Sequence, residues 1–336
     1  MTTFSVAFQG NKPIADYVRY AKIMEQLDFD AFLVYDDVMY RPCWPILFSV
    51  APHTAKLQLG PSVTHPYYTH PVFIAGNIAC LDEILGGRAV LGIGRGSYYE
   101  ELGVETTKPI TGVKEAIEIV TRFMRSDKNQ YEGRVFRVSE GIAFKYKPIR
   151  AKIPIFVGTW GPKLAEIAGQ MNAISEVRVD LTWNSSYLPT IRKSIDRGAA
   201  AAGRDPNEIG LCVGPQTSVS ADRDLARNAV RRSLPDYLSY PPYRVMLEKS
   251  GVDLAEVDAV THAVSENDYR TAENLISDLS IDKLTASGTP DDIVQGAERM
   301  IKSGVSHISF CHPHGPDVEE AIRLIGTKVI PYLKGL

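Results

Sequence analysis

The sequence lacks the features by which several classes of protein are recognised, clustered cysteines among them. Its 336 residues include four cysteines, which lie far apart and form no C-x-x-C pair. This spacing disfavours a disulfide framework and a zinc knuckle, and scattered thiols suit a reducing cytoplasm. No apolar run approaches the ~18 residues that a membrane-spanning helix needs, and the first residues show no secretory pattern. We therefore expect a cytoplasmic protein that does not insert into a membrane.

An excess of charge of one sign is also missing. Lysine and arginine together number 37 and aspartate and glutamate 40, for a net charge of −3. Nucleic acids and anionic membranes usually select a basic patch, so neither is an expected partner. The G-x-S-x-G, H-E-x-x-H and P-loop motifs are absent as well, which disfavours hydrolases, metalloproteases and kinases.

What the sequence does contain is an alternation of short β-rich runs with helical patterns. The eight runs are FSVAFQG (4–10), FLVYDD (32–37), LQLGPSVT (57–64), AVLGIGRG (89–96), IPIFVGTW (153–160), AISEVRV (173–179), IGLCVGPQTSV (209–219) and HISFCHP (307–313). Most are continuously apolar, which is typical of parallel strands covered on both faces. We predict an α/β protein with a single (β/α)8 TIM barrel as one domain over residues 1–336, and an open doubly wound sheet as the alternative.

Two segments interrupt the alternation. Residues 127–152 are predicted to form a small hairpin-like excursion, and residues 235–286 a long, partly helical insertion before the eighth strand. Insertions of this length serve as lids or interaction elements, or only add packing, and the sequence leaves both interpretations open.

In a barrel of this kind the site lies at the carboxyl ends of the strands. The turn GTWGPK at 158–163 precedes a helical pattern, so it is either a phosphate site with Lys163 as a cation or a plain tight loop. The run GIGRG indicates close approach of a flat ligand to the backbone. Asp36 and Asp37 follow the second strand, and alternation of side chains predicts that only one faces the site. His65 and His70 lack a third grouped ligand, so we predict no metal site.

Four blocks carry a resemblance to a known family, and they run nearly end to end. They are LGPSVTHPYYTHPVFIAGNIACLDEILGGRAVLGIGRG, IPIFVGTWGPKLAEIAG, AAAAGRDP and GTPDDIVQGAERMIKSGVSHISFCHPHGPDVEEAIRLIG. In this combination the chain resembles the luciferase-like superfamily of flavin and deazaflavin enzymes, and it is most similar to the methylenetetrahydromethanopterin reductase branch, which uses coenzyme F420.

The resemblance implies a set of site residues. It places a non-prolyl cis peptide between Ser62 and Val63, behind the ring of the coenzyme, and the coenzyme phosphate at the turn before Lys163. The cofactor-binding residues it implies are Asp37, Ser62, Val63, Thr64, Gly94, Arg95, Gly96, Gly158, Thr159, Trp160, Gly161, Pro162, Lys163, Glu176 and Val177. The candidates for catalysis or substrate contact are Asp37, Ser97, Tyr40 and Glu100.

Two positions depart from the family pattern. Where alcohol and sugar-phosphate dehydrogenases of the superfamily have a histidine and a glutamate, this sequence has Val38 and Ser97. Without that pair the removal of a proton from an alcohol is poorly served, which favours a reduction in which the cofactor carries the chemistry. The resemblance therefore implies a coenzyme F420-dependent oxidoreductase of a small organic substrate, with FMN as the alternative cofactor.

Three functions remain open at this stage. They are the F420-dependent reductase, an FMN-dependent monooxygenase supplied with reduced flavin, and a non-catalytic cofactor-binding protein on the same scaffold. By analogy with the superfamily, a homodimer is expected.

Overall fold

The continuously apolar runs form strands, and the amphipathic segments between them form helices. The computed structural model describes residues 2–184 and 186–335. In chain order, strands β1 to β12 are Thr3–Phe8, Ala31–Val34, Gln58–Pro61, Leu91–Gly94, Tyr131–Glu132, Arg137–Val138, Ile155–Gly158, Ile174–Asp180, Gly210–Gly214, Gln216–Val219, Thr285–Gly288 and His307–His314. Helices α1 to α14 are Ile14–Gln26, Cys43–Val50, Pro71–Ile84, Pro109–Met124, Pro162–Gln170, Leu188–Ala201, Arg223–Ser239, Arg244–Lys249, Leu254–Ser265, Tyr269–Leu275, Asp278–Leu284, Pro290–Lys302, Val318–Leu324 and Ile330–Lys334.

Eight positions around a parallel barrel are filled by these strands. Hydrogen bonding gives the order β3-β2-β1-β12-β9-β8-β7-β4, and parallel bridges from Leu59 to Ala89 and from Thr64 to Ile93 close the ring between β3 and β4. Strand interiors such as Phe4 and Val6 are fully buried, because helices cover the outer face of the barrel and side chains fill its inside. The (β/α)8 prediction is confirmed, and the open-sheet alternative is wrong.

The seventh run, predicted as one strand, is divided in two. Pro215 separates β9 from β10, and proline has no N–H group to donate to a strand ladder. Strand β9 pairs with β8 and with the first part of β12, whereas β10 pairs with the last part of β12 and with β11. The barrel therefore closes through β9, and β10 opens the sheet to one further strand at the carboxyl end.

The segment 127–152 contains the expected hairpin, with β5 and β6 antiparallel. Its turn is held by the buried carboxylate of Glu115 on α4. One oxygen accepts from the backbone N–H of Arg134 at 2.6 Å, and the other accepts from those of Val135 and Phe136, both at 2.9 Å. A single side chain thus satisfies three consecutive backbone donors.

Replacing Glu115 by alanine is expected to open this turn without unfolding the barrel. Three partly buried N–H groups would lose their acceptor, at a cost of about 2 kcal/mol. Hydrogen–deuterium exchange should become faster for residues 134–136, while the barrel strands keep their protection. The exposed Glu132→Ala serves as the control, and equal exchange in the two variants would contradict the anchoring role of Glu115.

The second insertion builds a helical layer over the carboxyl end of the barrel. Helices α7 to α11 share an apolar cluster separate from the barrel core, with Leu234, Leu247 and Val260 among its buried members. The layer ends in β11 and is followed by α12, whose first turn has a capping box formed by Thr289 and Asp292. None of the helices in the described ranges has the length and apolar character needed to span a bilayer.

Candidate active site

A cavity of about 490 Å³ opens at the carboxyl ends of the barrel strands. Its walls come from residues that follow β2, β3, β4 and β7, from the end of β8, and from the helical layer. The position is the one that the barrel architecture assigns to function. Most of the residues implied by the sequence meet here: Asp37, Ser62, Val63, Arg95, Gly96, Ser97, Gly158, Thr159, Trp160, Gly161, Pro162 and Lys163.

The remaining candidates lie outside the cavity wall. Thr64 is buried and donates its hydroxyl to Asp36 at 2.7 Å, so it orients the neighbouring carboxylate. Gly94 lies beneath Val63. Tyr40 is 40% exposed near the cavity, and burial together with the charge of Asp37 raises the pKa of its hydroxyl. Glu100 is exposed in the loop after β4.

Glu176 and Val177 are not brought to this site either. Strand β8 continues to Asp180, which places Glu176 near the amino-terminal end of the barrel. There Glu176 is hydrogen-bonded to Nδ1 of His307 at 2.9 Å, and Nε2 of His307 is 2.7 Å from the hydroxyl of Ser5. Ligand-type atoms of Glu176, Cys212 and His307 lie within 4.8 Å of one another, but both ring nitrogens already have partners. Val177 is fully buried in the core.

A flat ledge forms where β3 ends. The peptide between Ser62 and Val63 is cis, as the resemblance implied. A Cβ added at Gly94 would lie 2.6 Å from Val63, and one at Gly158 would lie 3.0 Å from it. Side chains at these two positions would displace Val63, so the glycines keep the ledge where it is. This shape suits a planar ring lying against the backbone.

A candidate anion site lies beside the ledge, at the start of α5. Gly161 is the N-cap residue and provides no side chain to accept from the first helical N–H groups. Its own N–H donates to the hydroxyl of Thr159 at 2.9 Å, which shapes the turn. Lys163 and Leu164 line the cavity from the first turn of the helix. Uncapped N–H groups, the helix dipole and a lysine together favour a phosphate here.

Asp37 is a carboxylate of the cavity wall whose pKa is raised by its environment. It is half-buried, and one of its oxygens accepts a long hydrogen bond of 3.4 Å from the amide of Gln9. Burial, with a smaller contribution from the charge of Asp36, raises the pKa of Asp37 to about 6. A carboxylic acid with this pKa exchanges a proton near neutral pH, as a general acid or base must.

Several buried polar atoms of the cavity wall have no partner among the described residues. They are the hydroxyl of Ser62, Nδ1 of His65, Nη1 of Arg178 and Nε2 of Gln216. Nε2 of His65 faces the carbonyl oxygen of Asp36 at 3.2 Å, and burial lowers the pKa of the ring, so His65 is neutral with Nδ1 free to accept. Buried polar atoms without partners are costly, so these four atoms are candidates to bind a ligand or an ordered water.

Aromatic residues of the helical layer form the wall opposite the ledge. Tyr237, Tyr240 and Tyr243 line the cavity with Trp160, and the rings of Trp160 and Tyr243 meet edge to face at 4.4 Å. The tyrosines were not among the site residues predicted from the sequence, although the aromatic density of PDYLSYPPY indicates an aromatic cluster. Such a wall suits a second flat or apolar molecule next to the ring site.

Comparison with known proteins agrees with this geometry. The family model described as luciferase-like monooxygenase matches residues 1–307. The 5,10-methylenetetrahydromethanopterin reductase of Archaeoglobus fulgidus is 32% identical, covering 98% of this chain and 99% of its own. An F420-dependent glucose-6-phosphate dehydrogenase of Microbacterium testaceum is 26% identical, covering 93% of this chain and 91% of its own. The solved coenzyme F420 dependent tetrahydromethanopterin reductase from Methanopyrus kandleri has a TM-score of 0.91 and 27% identity, covering 98% of this chain and 99% of that chain.

The resemblance inferred from the sequence blocks is therefore confirmed, both for the superfamily and for its similarity to the reductase branch. With a family model that spans most of its length and reductase relatives that span nearly all of it, the chain belongs to the luciferase-like monooxygenase family.

Proposed function

We propose that this protein is a coenzyme F420-dependent oxidoreductase that reduces a small organic substrate. The observation that carries the proposal is that the flat ledge at Ser62–Val63 and the anion site at Gly161–Lys163 open into one cavity. A ring joined to a phosphate by a sugar-alcohol chain needs these two features side by side. The relatives described above, which are named as F420-dependent enzymes or methylenetetrahydromethanopterin reductases, support the same cofactor.

The residues of the cavity fit the deazaflavin coenzyme. The ledge and Gly158 would support its ring, Lys163 and the first turn of α5 would hold its phosphate, and the unpartnered atoms of Ser62 and Arg178 would meet its polar edge. When bound in its reduced form, the coenzyme supplies a hydride to an electrophilic carbon of the substrate. With the coenzyme bound, the helical layer would shield the space between the ring and the tyrosines from water.

Asp37 is proposed to hold the proton that accompanies the reduction. It lines the cavity beside Val38 and Ser97, neither of which carries a titratable group. The histidine–glutamate pair of the related dehydrogenases is thus replaced by a single carboxylic acid of raised pKa. This arrangement favours protonation of a reduced product over deprotonation of an alcohol. The first substrate to test is methylenetetrahydromethanopterin, followed by enones, quinones and nitroaromatics.

Titration of the cofactor-free protein with coenzyme F420 and with FMN tests the proposal. Trp160 lines the cavity, so its fluorescence should fall when a ring binds, and Trp160→Phe identifies the source of the signal. We expect F420 to bind at micromolar concentration or better and more tightly than FMN. Tighter binding of FMN, with oxygen consumption on reduction, would support the monooxygenase alternative, and binding of neither would support a non-catalytic scaffold.

Replacing Lys163 by alanine is expected to weaken F420 binding ~10-fold, because the phosphate would lose a charged partner. The phosphate-free form of the deazaflavin provides the matched control, since its affinity should not depend on Lys163. Fluorescence titration of the wild-type and variant proteins with both ligands measures how much of the affinity depends on Lys163 and the phosphate together. An equal loss for the two ligands would show that Lys163 does not bind the phosphate.

A homodimer and a cytoplasmic location belong to the same proposal. On α3, Phe73 is 70% exposed and Ile84 48% exposed, so this helix presents two large apolar side chains that a subunit contact would cover. The cysteines are free, as expected in a reducing compartment. Sedimentation of the purified protein tests the dimer.

A further inference from the structure

Arg178 is one of the residues that line the cavity, and it is almost completely buried at 1% exposure. Its Nε donates to Asp180 at 2.6 Å, and its Nη2 lies 3.1 Å from the sulfur of Cys311. The third nitrogen, Nη1, has no partner, and the side chain lines the cavity. A buried guanidinium with one donor unused is costly unless a ligand provides an acceptor.

Among the described residues, the groups around the guanidinium give Nη1 no charged acceptor. Burial raises the pKa of Tyr35 and of the Cys212 thiol well above their usual values and that of Cys311 to about 11, so these groups stay neutral. Asp180 alone neutralises the arginine, and it does so from the Nε side. A Cβ at position 214 would lie 1.9 Å from the Asp180 carboxylate, so Gly214 is what allows the pair to sit here.

The position of Arg178 identifies the part of the ligand that it meets. In the sheet register Arg178 is the partner of Gly158, which underlies the ledge, and its carbonyl oxygen accepts from the N–H of Thr159. The guanidinium is therefore beside the ring site, whereas the anion site begins further along the chain at Gly161. A ligand atom that partners Nη1 would therefore belong to the ring rather than to the phosphate.

We propose that Arg178 selects the hydroxylated deazaflavin ring over the flavin ring by binding its anionic form. This inference rests on the proposed function. The deazaflavin of coenzyme F420 carries a phenolic hydroxyl conjugated with its carbonyl groups, so its conjugate base spreads negative charge over the oxygens of the ring. The flavin ring of FMN lacks that hydroxyl and is neutral near pH 7. A charge-assisted hydrogen bond from a buried guanidinium distinguishes the two.

Other charged groups face the cavity, but because they are exposed they distinguish an anionic ring from a neutral one less well. Arg95, Lys163 and Lys249 are exposed cations at its walls, where solvent and salt screen them. The facing carboxylates are Asp36, Asp37 and Asp180. Of the cations, Arg178 alone is buried at the level of the ring, where a charge acts with little screening.

The test compares F420 and FMN on the same protein samples. We expect Arg178→Met to lower the ratio of F420 to FMN affinity ~10-fold or more, and Arg178→Lys to restore part of it. Because misfolding removes both ligands together, the ratio reports selection rather than the folded fraction. An unchanged ratio in Arg178→Met would overturn the proposal.

A second measurement needs only the wild-type protein. The absorption spectrum of bound F420, followed from about pH 5 to 8, should show the ring ionising at lower pH than in free solution, and Arg178→Met should reverse this shift. Ionisation at the free value in the wild-type complex would overturn the role of Arg178 while leaving the proposed function intact. If the wild-type protein does not bind F420 at all, the proposed function itself fails.

Discussion

Replacing Asp37 by asparagine is expected to lower the turnover number of the reduction ~100-fold, the usual contribution of a positioned general acid. Asp37 has an environment that raises its pKa to about 6, so below that pH it carries the proton that the reduced product takes up. The turnover of the wild-type protein should therefore fall as the pH rises through about 6. The asparagine variant should show no such fall, and an unchanged pH profile would exclude Asp37 as the acid.

The same substitution should make the folded protein more stable at neutral pH. Because the folded-state pKa lies above that of an unfolded aspartate, the stabilisation is full below the unfolded value and is lost as the pH rises through about 6. At pH 7 the ionised carboxylate thus destabilises the fold, and asparagine removes that cost. Partial exposure to solvent reduces the gain to about 1 kcal/mol. Denaturation followed from pH 8 downwards should show the gain shrink as the pH falls below about 6 and vanish only below the pKa of an unfolded aspartate, about 4.

The second large effect is expected at Asp82 on α3, which does not line the cavity. Its side chain is fully buried and accepts from Nε of Arg150 at 2.8 Å, from Nη2 of the same arginine, and from the N–H of Ala89 at 3.0 Å. Asp82→Ala would leave the guanidinium and the N–H without their acceptor, at a cost of about 3 kcal/mol.

Denaturant titration measures this loss as a shift of the unfolding midpoint. The control is the surface pair Arg244–Asp258, in which both side chains are largely exposed. Asp258→Ala should leave the midpoint unchanged, because solvent screens an exposed pair. If both alanine variants unfold at the wild-type midpoint, the Asp82–Arg150 pair does not anchor the segment that precedes β7.

The parts of the site that follow strands could be predicted from the sequence. Ser62, Gly158 and Lys163 reach the cavity because the carboxyl ends of parallel strands share one end of a barrel, whatever the details of packing. The division of the seventh strand was not predicted, although the run contains Pro215, which cannot donate a hydrogen bond to a neighbouring strand.

The parts that depend on distant contacts could not be predicted. Glu176 was expected among the cofactor-binding residues, but its position depends on where β8 ends and on a hydrogen bond to His307, which is 131 residues away. The buried pairing of Arg178 with Asp180 likewise depends on the close approach of Gly214. The tyrosine wall could not be predicted without the fold of the helical layer. Its five helices pack on one another, and not on the repeating strands of the barrel, so strand order does not fix their positions.

Because the seventh strand is divided, closing the barrel and connecting the helical layer are done by two different strands. Strand β9 completes the ring of the barrel, whereas β10 carries β11 and with it the end of the helical layer. The helical layer that forms the substrate wall is thus connected to strands that do not close the barrel ring. Residues 216–288 can therefore change, and with them the substrate that binds, while the hydrogen bonding that closes the barrel ring through β9 stays the same.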